Sequence, residues 1–331
     1  NTVLGESALD SGSLSGGNNT AIGKEALTAL TSGADNLAVG KGSLKANTTA
    51  SFNTGVGTNS LFLNSTGANN TGLGYNSLVA NTTASNNTAV GYIALTANTT
   101  GTRNNALGSG ALAANTTANN NNAFGYQALT ANTTGASNNA FGKSALDANS
   151  TGSNLTAMGH NALGANTTAS NNTAFGYESL AANTTGTFNT AIGPVALEDN
   201  TTGTRNSAVG YGSLANSTTG TGNTGIGFQA LVANTTADNN TAVGRDAMVS
   251  NTTGSGTALG AFSLDANTTG TANTAIGDSA LGANTTAANN TAVGHAALTA
   301  NTTGTQNTAV GANALDANTT AHNNTAVGYN S

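Results

Sequence analysis

One group capable of chemistry recurs throughout this sequence, the side-chain amide of asparagine followed two residues later by a hydroxyl. Asn47, Asn64, Asn81, Asn98, Asn115, Asn132, Asn149, Asn166, Asn183, Asn200, Asn216, Asn234, Asn251, Asn267, Asn284, Asn301 and Asn318 each open an Asn-x-Ser/Thr triplet, the acceptor pattern for covalent glycan attachment. Further triplets begin at Asn18, Asn69, Asn86, Asn154, Asn171, Asn239, Asn289 and Asn323. The first set lies in Asn-Thr-Thr clusters, for which three readings stand open. Asn and Thr satisfy neighbouring backbone groups and so build turns; exposed Asn would carry sugar; and regularly spaced Thr would bind ice. Against the last, Thr99 and Thr100 are consecutive, and in an extended chain consecutive side chains point to opposite sides.

No other constellation of reactive groups gathers in the sequence. His160, His295 and His322 are far apart and lack the spacing of a ligand set. Acidic residues such as Glu25, Asp147, Asp199, Asp238, Asp278 and Asp316 are scattered, with no pair placed for general acid and base work. The glycines are not followed by the Gly-Lys-Ser/Thr of a phosphate-binding loop. With no cysteine there is neither a disulfide framework nor a thiolate metal site. Only 6% of residues are charged and the net charge is −6, which leaves no basic footprint for nucleic acid or for a membrane surface. No apolar run is long enough to insert in a bilayer. The expectation is a non-enzymatic protein without cofactor or metal. Asn1 opens and Ser331 closes inside a repeat, which leads to the expectation of a mature product or a fragment.

The elements that would position the amides follow from a repeat. Glycines after an apolar residue mark it: Gly5, Gly23, Gly40, and so on to Gly328, 20 in all. Of the 19 intervals, seventeen are 17 residues, the first is 18, and Gly244 to Gly260 is 16. So short a fixed period means a solenoid, whose units bury their apolar faces against one another. Asn, Thr and Gly, which dominate each unit, are poor in helix interiors. Period-two alternation appears as Thr88-x-Val90 and as Leu95-x-Ala97, and predicts two short strands and two turns per coil. The fold class expected is all-β, a parallel β-solenoid of about 19 coils. At a strand spacing of about 4.8 Å it would be one elongated domain roughly 90 Å long. Residues 1–40 are irregular, with Leu30 where Asn is expected, and read as a terminal cap; residues 41–331 are the regular repeat.

Position by position, the residue before the marker glycine is always apolar, and the residue four after it is Leu in 18 of 19 units, Met248 being the exception. These two ladders are the expected core, with Thr88 on the face of Val90. Two before the glycine stands Ala or Gly in 19 of 20 units, and three after it always Ala or Ser. If Val90 faces inward, Ala89 faces outward, and its uniform smallness predicts close approach of another chain: self-association as a trimer or filament. Asn occupies the position four before the glycine in 18 of 20 units, and predicts a structural side-chain ladder. The six tyrosines all follow marker glycines, where they form either a sugar-stacking stripe or a packed rim. Pro194 falls in the same turn, where its missing N–H is not needed.

The run Asn-Thr-Ala-Val-Gly-x-x-Ala, at Asn87 to Ala94 and Asn307 to Ala314, resembles the head repeats of trimeric autotransporter adhesins and related trimeric tail-fibre and surface-fibre proteins. The resemblance covers essentially the whole chain. It implies a left-handed β-roll, three chains side by side, and an extracellular or cell-surface fibre or adhesin shaft. The unit here is 17 residues rather than the shorter family repeat, and it carries the Asn-Thr-Thr insertion. An ice-binding solenoid or a phage tail-fibre segment is the alternative.

Overall fold

In the computed structural model the described residues are 1–12 and 14–331, and they form a β-solenoid without a helix. Ser13, part of the irregular Ser11-Gly12-Ser13 stretch, lies outside them. Among the described residues there are twenty short parallel strands, one per coil, from β1 (Thr2–Leu4) to β20 (Thr325–Val327). The chain divides into two compact units, Asn1–Ser170 with β1 to β10 (Thr156–Met158), and Asn171–Ser331 with β11 (Thr173–Phe175) to β20. Within each unit successive strands pair in register, one repeat apart. Thr71 thus faces Thr88, which in turn faces Asn105. Even where the repeat is one residue short, register is kept, with Thr241 opposite Thr257. The missing residue comes out of the second turn, as a surface connection permits.

The expectation of two strands per coil is corrected. Thr88–Val90 is a strand, β6, whereas residues 93–97 are a run of turns. There the backbone alternates in handedness, with Ile93 at φ 49° and Leu95 at φ 52°. Its N–H groups still reach neighbouring coils, Ile93 back to the Tyr75 carbonyl at 3.0 Å and Leu95 forward to that of Ala111 at 2.9 Å. A left-handed conformation costs an L-residue about 1–2 kcal/mol. Leu95 is fully buried, and burial of a leucine contributes about 1.5–3 kcal/mol, which offsets the strain.

The expected facing of the strand is also corrected. Ala89 is fully buried, whereas the residues before the marker glycines lie at the surface, half-exposed at Leu73 (45%) and Phe175 (51%). A three-residue strand sends its middle side chain one way and its flanks the other, and the interior is too thin for the larger residue. The leucine four after the glycine fills it, with Ala on both sides. A Cβ placed on Gly55, which stands in the alanine row, lies 3.3 Å from Leu44 Cγ and 2.5 Å from Ser43 Oγ. The small residues are small because the core has no more room.

One detail shows how closely the rows are matched. Gly replaces Ala in the middle of the strand at Gly55, Gly72 and Gly225, and in each case the preceding coil carries Ser three after its glycine: Ser43, Ser60 and Ser213. Those hydroxyls donate across to the Gly55, Gly72 and Gly225 carbonyls at 2.8–2.9 Å. Where the next strand keeps its Ala, as after Ser77, Ser179 and Ser263, the hydroxyl turns back to its own marker glycine's carbonyl. The marker glycine is fixed for two reasons. At Gly91 φ is 138°, a region essentially closed to other residues, and a Cβ would strike the Gly108 carbonyl.

Candidate functional site

The Asn-Thr-Thr turns occupy the corner after the leucine row. Asn98 is fully buried, and its amide donates to the Gly101 carbonyl at 2.9 Å and to Asn81 Oδ1 at 3.0 Å. Its own Oδ1 accepts from Asn115 Nδ2 at 2.9 Å. The same ladder holds Asn47, Asn64, Asn81, Asn115, Asn132, Asn149, Asn166, Asn183, Asn200, Asn234, Asn251, Asn267, Asn284 and Asn301 inside the coils. The expectation that the turn's asparagines stand in solvent is corrected: a buried amide with both hydrogens engaged has no room for a sugar. Asn318 is half-buried, and Asn216 alone of the predicted set is exposed. There the cluster arrives one residue early and Ser217 takes the inner place. The substitution breaks the ladder, because Asn200 Oδ1 and Ser217 Oγ are both buried without a partner.

A second, expected asparagine ladder runs along the start of the strands. Asn70 Oδ1 accepts from the backbone N–H of Asn87 at 3.0 Å, and Asn87 Oδ1 from that of Asn104 at 2.9 Å. Each amide is then spent on the far turn, Asn87 Nδ2 reaching the Gly101 carbonyl at 2.8 Å. The remaining Asn-x-Thr acceptors, Asn18, Asn69, Asn86, Asn154, Asn171, Asn239, Asn289 and Asn323, are exposed and left-handed, with φ between 58° and 63°. They are the accessible amides, and asparagine is there because it tolerates that conformation.

The two hydroxyls of each cluster part company. Thr99 Oγ1 donates to the Thr116 carbonyl of the next coil at 3.1 Å, and Thr82 and Thr116 repeat the bond. Thr100 is exposed. On the outer strand face, by contrast, an apolar row runs through each unit, flanked by the residues that follow the glycines. Tyr75 and Tyr92 stack with ring centres 5.6 Å apart, Tyr211 and Phe228 at 5.5 Å. Phe124 and Phe141, in the apolar row, stack at 4.7 Å.

The histidines remain apart from one another. His160 Nδ1 lies 3.2 Å from the Lys143 carbonyl, and His322 Nδ1 accepts from the Thr305 N–H at 2.9 Å. Among the described residues no three His, Asp or Glu side chains gather as a metal set, and no pocket opens. Burial pushes the carboxyls of Asp147, Asp265 and Glu198 above their ordinary range, Glu198 being raised also by Asp199 and Glu178. Lys45, 2.7 Å from Glu25, holds that carboxyl below its ordinary range.

The signal that would have placed the apolar row outside is its variety. It takes Val, Leu, Ile, Phe and Met, whereas the neighbouring row takes Ala or Gly; a closed interior slot of constant shape does not accept both Val and Phe. No protein-family model matches the chain, and comparison with curated proteins gives no significant match.

Proposed function

We propose that the chain is a non-enzymatic, extracellular structural fibre or adhesin shaft whose coils associate with further copies through the outer strand face. The observation that carries this reading is the exposed apolar row. Leu107 is 46% exposed and Ile192 41%, and each has apolar neighbours in the coils above and below. Contiguous apolar surface on this scale marks an interaction site. A face that repeats with the coils is suited to an identical partner, since each row then meets its own kind. The similarity to trimeric adhesin head repeats favours three copies. The alanine row no longer supports association, because it is inside. Any N-linked sugar belongs on exposed acceptors such as Asn69, Asn86, Asn216 and Asn239.

Sedimentation equilibrium tests the reading. The expected result is a multiple of the 31.9 kDa chain mass, reduced to the single chain when Val90, Leu107 and Phe124 are replaced by Lys. A single-chain mass for the unaltered protein at tens of micromolar would overturn it.

A further inference from the structure

We infer that the outer threonine of the Asn-Thr-Thr turns forms an ice-binding row. The row comprises Thr49, Thr66, Thr83 and Thr100 and continues at the same phase to Thr168 in the first unit, then from Thr185 to Thr320 in the second. All 17 turns with the cluster have Thr here, and all 17 residues are exposed. The fold does not account for this constancy. Among the described residues none of these hydroxyls has a bonding partner. The preceding position, whose hydroxyl does bond to the next coil, takes Ser at Ser65 and Ser150, and each makes the same bond. Where the hydroxyl has a structural task, Ser and Thr are interchangeable; where it has none, Thr fills all 17 cluster turns, and Ser appears at that phase at Ser32, in the irregular coil that lacks the cluster asparagine.

Two ordinary explanations fail. The sequon would require a hydroxyl at this place, but fifteen of the partner asparagines are fully buried, with amides bonded inside the coils as at Asn98, and Ser would serve a sequon as well. Uniformity inherited with the repeat also fails, because the exposed row three residues later has drifted to Phe52, Asn86, Arg103, Ser137 and Gln306. What distinguishes Thr from Ser is its methyl group and the stiffness at χ1 that β-branching brings. Within each unit the row therefore presents a methyl and a hydroxyl without a partner among the described residues, with χ1 restricted by the branch, at the coil spacing of about 4.8 Å. Hydroxyls without a partner in the protein bond to water, and hydroxyls at a constant interval hold that water in a line of the same period.

The ligand that gains from such a row is itself periodic. The row has no charge, no aromatic ring and no concavity, so it offers nothing to an isolated small molecule or to an ion. Ice repeats its oxygen positions at a closely similar interval and accepts a line of bound water without breaking its own hydrogen-bond network. The inference does not rest on self-association, because the apolar row lies on the strand and the threonine row on the second turn.

Thermal hysteresis and capture into a growing ice hemisphere test it, using the full chain at a measured association state. The unaltered protein is expected to depress freezing below melting, to facet ice crystals and to enter the ice. Replacing Thr83, Thr100, Thr117 and Thr134 by Ser is expected to reduce all three, with circular dichroism and melting temperature unchanged. The matched exposed set Asn86→Ser, Arg103→Ser and Asn120→Ser is expected to change none of them. Absence of hysteresis and of capture in the unaltered protein would overturn the proposal. So would equal activity of the two variant sets, or retention on crystalline chitin or cellulose without capture by ice.

Discussion

Residues 88–90 and 93–97 of one coil have the same alternating pattern of side chains and opposite solutions for the backbone. The first is a strand, with its alanine inside and its larger apolar residue outside. The second turns at every residue, with its leucine in a left-handed conformation and fully inside. The difference teaches that period-two alternation reports which side chains share a face, not how the backbone gets there. Alternating right- and left-handed residues also send every second side chain to one side. The two segments then share one thin interior, in which the turn segment supplies the bulk and the strand supplies the flat wall.

The most direct way to break the comparison is to remove one apolar group from each segment. Leu95→Ala is expected to cost about 2–5 kcal/mol, and Val90→Ala about 0.5 kcal/mol or less in the isolated chain. Local hydrogen exchange in that coil measures both, and equal costs would mean that the two rows are buried alike. Enlarging the wall is expected to cost less: Ala89→Leu overfills the interior, by about 1–3 kcal/mol, whereas Val90→Leu leaves the denaturation midpoint where it was.

A finer test couples the segments directly. Gly55→Ala places a methyl against Ser43 Oγ, and Ser43→Ala removes the obstacle. A double-mutant cycle in denaturant is expected to give a favourable coupling of about 0.5–3 kcal/mol, and strict additivity would contradict the facing described. Repair of the broken asparagine ladder is expected to be stabilising. Ser217→Asn combined with Asn216→Ala restores the buried bond to Asn200 and should gain about 1 kcal/mol, read as a rise in the melting midpoint.

The smallest effect concerns Asp147, at the end of the turn segment. Its folded pKa is raised by burial, so between the unfolded and folded values the folded state binds more protons, and stability falls as pH rises through that window. Asp147→Asn is therefore expected to stabilise the protein at neutral pH, by about 0.5 kcal/mol or less given its partial exposure, and to have no such benefit well below the aspartate range. A larger gain at acid than at neutral pH would reverse the sign.

Much of this was legible in the sequence because the repeat carries it. The period, the parallel register, the leucine row and the asparagine ladder before each strand follow from the spacing of glycines and asparagines. What was not legible was conformation at fixed facing. Nothing in Leu95 announces a left-handed backbone, since leucine has no preference for it, and only the stacking of coils enforces it. Reading Val90 inward followed from its hydrophobicity alone, although the restriction to Ala or Gly next to it was the stronger sign of confinement. The Asn-Thr-Thr cluster was the least transparent. One motif places an amide inside, one hydroxyl against a neighbouring carbonyl and one hydroxyl in water, and three consecutive letters do not reveal that division.

The two asparagine ladders have a direction. In each, a side-chain oxygen accepts from the coil that follows it in the sequence, as Asn70 does from Asn87 and Asn81 from Asn98. A finished coil therefore presents open acceptors to the residues still to come, and growth within a unit resembles a crystal adding layers to one facet. Vectorial synthesis supplies the layers in that order. Each layer bonds only to the layers directly before and after it, so recombination that gains or loses a whole 17-residue block changes the length and leaves the remaining rungs as they were.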